Sequence, residues 1–129
     1  MVRDAPVKFS KESASGLLVQ SVSATAIRVG GESYAHSIAL TPEQLVAGWQ
    51  SKPVADLTIA DFDVLLGNAP ELIVVGTGSR NLFPPRDLVF AFARRGIGLE
   101  VMDTAAAART FNVLAGEGRR IAAVLHLDP

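Results

Sequence analysis

The residues best placed to do chemistry in this 129-residue chain fall in two short stretches. Gly76-Thr77-Gly78-Ser79 closes a continuous apolar run. Asp103-Thr104 opens an alanine-rich segment that continues through Asn112 to Glu117-Gly118-Arg119. A glycine turn after a buried strand lets backbone N–H groups approach an anion, and a helix start adds its positive end. The candidate ligand site is therefore Gly76, Thr77, Gly78, Ser79, Asp103, Thr104 and Asn112, with Arg119 as counter-charge. Glu100 or Asp103, ending the next strand, is placed to reach a ribose.

The same residues also have plainer uses. The third glycine of a dinucleotide fingerprint would fall at Asn81, and no Lys-Ser/Thr pair follows, so this is not a Walker A loop. Gly76-Thr77-Gly78-Ser79-Arg80 does not match a Gly-x-Ser-x-Gly nucleophile elbow. Asp103 and Glu117 flank one helix and could meet as acid and base. Capping of the helix by Asp103 or Thr104, and a Glu117–Arg119 pair, account for them more simply. His36 shares the apolar face of a hairpin and His126 ends a buried strand, and neither belongs to a metal-ligand pattern. No catalytic residue, metal site or cofactor is assigned. Asn112 is the least explained residue, since asparagine is mildly unfavourable inside a helix.

Two apolar features point to a protein partner instead. Leu82-Phe83-Pro84-Pro85 is stiffened by its prolines, and Trp49 lies in a connection outside the main layer. An exposed aromatic on a rigid loop can serve as a binding anchor. Trp49, Leu82 and Phe83 are the candidate partner-binding residues.

The chain as a whole limits what can surround such sites. Its length suits one domain. With 49% hydrophobic and 19% charged residues it reads as globular. A net charge of −1, from 12 basic and 13 acidic residues, supplies no field for nucleic acid, which is not expected as a partner. There is no cysteine, which excludes disulfides, thiol catalysis and cysteine-held metals. No apolar run approaches the roughly 18–20 residues of a membrane span. The absence of a targeting segment points to the cytoplasm.

The elements that must position these residues follow from periodicity. Residues 1–16 read as a flexible leader and 17–129 as a single α/β domain. Leu17–Val29 and Glu32–Leu40 are joined by Gly30-Gly31, a tight hairpin whose turn positions both need positive φ. In that register Ile27 faces Tyr34, with Ile38 and Leu40 continuing the same face. Thr41 to Trp49 is a short helical or turn segment, and Thr58 caps a helix over Ile59–Leu66. Leu72–Val75 is a strand covered on both faces. A helix from Pro84-Pro85 through Arg95 buries Leu88, Val89 and Phe92. A strand over Ile97–Met102, a helix over 104–115 and a central strand over Ile121–Leu127 complete the chain. Strands alternating with helices imply a largely parallel layer.

Leu72-Ile73-Val74-Val75-Gly76-Thr77-Gly78, Gly96-Ile97, Glu100-Val101-Met102-Asp103-Thr104, Thr110-Phe111-Asn112 and Glu117-Gly118-Arg119 together resemble one family. It is the small α/β domain-of-unknown-function family whose mitochondrial member is the respiratory complex I assembly factor three. The likeness covers roughly residues 17–127 and is densest from Leu72 onward. It implies a three-layer α/β domain: a mixed central sheet with helices on one side, at least one antiparallel strand, and a β-hairpin extension. This chain resembles a stand-alone prokaryotic member, and the family implies no reaction.

Two functions are compatible with these residues. The leading one is a non-enzymatic binding or assembly-type protein using the apolar surface near Trp49 and Leu82-Phe83. The other is a small-anion or nucleotide-binding domain with its cleft between the Gly76–Ser79 turn and the Thr104 helix start. For that cleft the expectation is a shallow, partly polar depression, sized for sulfate and not for a dinucleotide.

Overall fold

A computed structural model describes residues 16–129, and the expected leader over 1–16 lies, apart from Gly16, outside the described residues. The chain builds two sheets. Strands β1 (Val19–Val22), β2 (Ile27–Val29) and β3 (Glu32–Tyr34) form a three-stranded antiparallel meander. Ile27 lies opposite Tyr34, and the turn between β2 and β3 holds Gly30 at φ 59° and Gly31 at φ 85°. Two consecutive left-handed residues match the right-handed twist of the strands they join.

Ile38 and Leu40 do not extend that hairpin. The chain bends at His36, and β4 (Ile38–Leu40) joins the second sheet antiparallel to β7 (Ile121–Leu125). The reason lies in the residues. Ile38, Ala39 and Leu40 are apolar at every position and all buried, so they need cover on both faces.

The second sheet runs β4-β7-β5-β6, with β5 (Leu72–Gly76) parallel to both β6 (Gly98–Met102) and β7. It is mixed, with β4 as its antiparallel member, and β7 is internal. Helix α3 (Thr104–Gly116) packs Ala107, Ala108 and Phe111 on one face, against Val74, Ala123 and Leu125. The meander adds Val19, Ile27 and Val29 to that same core. On the opposite face, α2 (Arg86–Arg94) contributes Leu88 and Phe92. There they meet Val54 from one 3-10 turn (Val54–Asp56), Phe62 from a second (Ile59–Phe62) and Leu65 from the short α1 (Asp63–Leu66). Phe62 and Phe92 meet edge to face at 5.1 Å. Helices thus cover both faces, not one, because alternate residues of β5 and β7 are apolar in both directions and each set needs its own cover.

Thr41 to Trp49 takes the turn form of the two expected: Thr41 Oγ1 accepts the N–H groups of Glu43 and Gln44, and the chain folds back so that the Val46 N–H donates to Ala39 O. Two other local expectations change. The Ile59–Leu66 segment is part 3-10, and its start is held by Asp61, whose carboxylate accepts the Thr58 amide at 2.8 Å and the Thr58 hydroxyl at 3.1 Å. Val89 is 41% exposed, and Ala91 takes the buried place on α2 beside Leu88 and Phe92.

Candidate functional site

The glycine turn leaves the C-terminal end of β5, and its backbone is already engaged. The Thr77 N–H donates to Met102 O at 2.8 Å, and the Gly78 N–H donates to Thr104 Oγ1 at 2.8 Å. The Ser79 N–H donates to Asp128 Oδ1 at 3.1 Å, and the Ser79 hydroxyl donates to the other Asp128 oxygen. An anion does sit on the turn: it is the chain's own carboxylate. Those two donors hold Asp128 below the usual carboxylate range, hydroxyl first and amide second.

The glycines serve this packing. A Cβ on Gly76 would lie 2.8 Å from Thr104 Cα and 3.0 Å from Ala107 Cβ, so Gly76 lets α3 come down onto β5. Gly78 has φ 103°, and a Cβ there would collide with the Asp128 carboxylate. Glycine is needed for close approach of protein to protein.

Asp103 and Thr104 divide the work at the start of α3. Asp103 is the cap, its Oδ1 accepting the Ala106 N–H at 2.9 Å. Thr104 is the first helical residue, so the alternative in which it caps does not hold. Its buried hydroxyl donates to His126 O at 2.6 Å while accepting from Gly78, tying β7, the glycine turn and α3 at one atom.

Between these residues and the β1–β2 turn lies a cavity of about 250 Å3, lined by Ser23, Ala24, Ser79, Asp103, Ala105 and Asp128 among others. The cavity lies at the place expected for a depression, between the turn and the helix start, but it is larger than the sulfate-sized one expected, and two carboxylates border it. Asn112 and Arg119 are not part of it. Both ends of the Asn112 amide are bound to Val19, and Arg119 pairs with Glu71 at 3.1 Å. Glu117 is therefore not its partner. Glu71 also accepts the Arg120 N–H, and this amide, before Arg119, keeps Glu71 below its ordinary value.

His36 is exposed, with Nδ1 3.0 Å from Ser37 O. His126 is 5% exposed, with Nδ1 2.8 Å from Gly76 O and Nε2 3.2 Å from Lys52 O. Burial pushes its pKa down against those two acceptors, so the neutral ring is favoured. Trp49 stands edge-on to this ring at 5.8 Å, half-buried, with Nε1 enclosed and without a hydrogen-bond partner among the described residues. Among the described residues, no group of three or more His, Asp or Glu side chains is arranged to hold a metal.

The apolar loop has a different character. Phe83 is 87% exposed and Leu82 38%. On the following helix Phe90 is 50% exposed and Val89 41%. The loop is anchored from below, where Thr77 Oγ1 accepts the Leu82 N–H at 3.1 Å. The sequence reading missed Phe90, although its spacing from Arg86 and Arg94 on an amphipathic helix placed it on the outer face. It also missed Asp128, which no local spacing connects to Ser79.

Comparisons with known proteins agree with the fold. A family model described as a protein of unknown function (DUF498/DUF598) matches residues 19–126. The human protein named NADH dehydrogenase [ubiquinone] 1 alpha subcomplex assembly factor 3 is 33% identical over 94% of this chain and 66% of its own length. A Francisella tularensis protein named 13 kDa major membrane protein is 28% identical over 71% of this chain and 76% of its own. A crystal structure of a Bordetella parapertussis protein superposes with a TM-score of 0.80 at 37% identity, covering 90% of this chain and 99% of that one.

Proposed function

We propose that this chain, which belongs to the DUF498/DUF598 family of proteins of unknown function, is a non-catalytic, assembly-type protein that docks on another protein through Leu82 and Phe83. The observation that carries the reading is Phe83, 87% exposed on a loop that ends in Pro84-Pro85 and is pinned at Leu82. A large side chain held out in water at a stiff position loses little entropy when a partner covers it. Leu82, Val89 and Phe90 supply further exposed apolar surface on the same loop and the helix that follows it.

The glycine turn supports this reading over an anion-binding one. Its N–H groups are satisfied by Met102, Thr104 and Asp128, and Asp103 and Asp128 put negative charge where an anion would sit. The human relative's name describes assembly, although this chain spans only 66% of that protein's length. The cytoplasm is the proposed compartment, supported by the absence of cysteine and by there being no helix among the described residues long and apolar enough to cross a membrane. Because the Francisella relative is named a membrane protein, the membrane fraction belongs in the test.

The experiment is quantitative affinity capture from native extract, soluble and membrane fractions separately, with wild type, Phe83→Ala and Trp49→Ala. Truncating an anchoring aromatic costs about 2 kcal/mol or more, roughly thirtyfold in affinity. The expected result is loss of specific partners with Phe83→Ala while its melting curve stays that of wild type. Equal retention of the same partners by Phe83→Ala would remove the proposal.

A further inference from the structure

The two edges of the second sheet are finished differently. Beside β4 the chain folds back, with the Val46 N–H on Ala39 O at 2.9 Å and a bridge between Leu40 and Leu45. On the far edge, β6 pairs with β5 alone among the described residues. The Gly98 N–H donates to Glu71 O and Met102 O accepts from Thr77 N–H, so Gly98, Glu100 and Met102 direct their backbone groups inward. Backbone direction alternates along a strand, so Leu99 and Val101 turn two N–H and two C=O groups outward. Proteins blunt such edges with proline, bulges or charge. β6 has no proline, pairs with β5 without a register break, and carries one charge, Glu100.

We propose that the outer edge of β6 receives an extended segment of another protein, read as apolar–basic–apolar, with its lysine or arginine opposite Glu100. The side chains argue for that pattern. Leu99 and Val101 are half-exposed against the α2-side core and offer cross-strand partners to apolar residues. Glu100 is exposed and makes no ion pair among the described residues.

Glu100 also argues against a second copy as the occupant. A two-fold antiparallel pairing that uses both outward residues must centre on Glu100, setting it directly against Glu100 of the other copy. Like charges in that position are destabilising. Moving the centre to Leu99 brings in Ile97, whose N–H is bound to Phe92 O. Moving it to Val101 brings in Asp103, whose carbonyl is bound to the Ala107 N–H. This surface does not involve Phe83, so its test is separate from that of the docking loop.

The test is an amide NMR titration of the full chain with two blocked peptides, Thr-Val-Lys-Val-Thr and Thr-Val-Glu-Val-Thr. With wild type, the lysine peptide should shift the Leu99 and Val101 amides and bind about fivefold more tightly than the glutamate peptide. In Glu100→Lys, a surface change that leaves the fold intact, the preference should reverse. Val101→Pro, which removes an outward N–H together with the valine's packing against the α2-side core, should bind neither peptide while the Phe111 resonances stay in place. Absence of shifts at Leu99 and Val101, equal affinity for both peptides, an unchanged preference in Glu100→Lys, or self-association of wild type through this edge would overturn the proposal.

Discussion

Asn112 holds Val19 by both ends of its side-chain amide. The Val19 N–H donates to Oδ1 at 2.9 Å, and Nδ2 donates to Val19 O at 2.8 Å. The amide acts as a one-residue strand partner for β1, 93 residues away in sequence, and fastens the meander to α3. An asparagine that weakens its own helix by a few tenths of a kcal/mol is compensated by two long-range bonds.

Asn112→Leu should therefore destabilise the protein by about 2 kcal/mol, since it leaves both Val19 groups unpaired in a partly buried place. Asn112→Asp is the sharper probe. It keeps the acceptor for the Val19 N–H but sets an oxygen against the Val19 carbonyl, so it too should lose stability despite its matching shape. Denaturant melts of the two variants check this, and wild-type stability in Asn112→Asp would remove the scaffold role.

Thr104→Val keeps the shape of the side chain and deletes the hydroxyl shared by Gly78 and His126. A buried N–H and a buried carbonyl lose their partner, a cost of about 1–3 kcal/mol. Thr104→Ser keeps the bonds and should lose less. If the valine and serine variants melt together, the hydroxyl carries no structural weight.

The two halves of the chain were legible in different degrees, for a physical reason. From Leu72 onward each element is specified within itself: a doubly apolar strand, glycine at the helix exits, an aspartate at the start of α3. Those elements and the place of the cavity beside Thr104, though not its size, could be read from spacing. Ile38–Leu40 could not be assigned to the correct sheet, because alternation gives a strand's faces and not the neighbour it pairs with. Asn112, Arg119 and Asp128 were opaque for a related reason. Their partners Val19, Glu71 and Ser79 lie 93, 48 and 49 residues away, and no local pattern encodes them.

Trp49 distinguishes burial from binding. Its Nε1 is enclosed without a partner among the described residues, while its ring packs against the α2-side core and His126. Trp49→Phe removes the unpaired donor and keeps an aromatic edge, so stability should hold or rise by up to about 1 kcal/mol. Trp49→Ala should cost about 2 kcal/mol or more through lost packing. Thermal melts separate the two. A tryptophan that anchors a partner instead would leave stability untouched in both variants.

The same ring reports on pH. His126 has its pKa lowered from 6.5 by burial, with the Gly76 and Lys52 carbonyls pulling the other way. A histidine depressed in the folded state binds fewer protons than in the unfolded chain, so stability rises with pH through that window. Its contribution is complete above 6.5 and is lost as pH falls from there through the folded value. Asp61, Glu71 and Asp128 are lowered from 3.8, 4.5 and 3.8, so their contributions are lost only in more acid solution. For Asp61 the Thr58 amide and Lys52 outweigh burial, which alone would raise it. Acid unfolding should therefore show two separate losses, and the first should disappear in His126→Asn. Trp49 is the only tryptophan and its ring centre is 5.8 Å from that of His126, so its emission in the folded state should change as the imidazole charges. The measurements are stability against pH by denaturant titration and native fluorescence against pH. A His126→Asn variant with the wild-type slope just below 6.5 would assign that proton to another group.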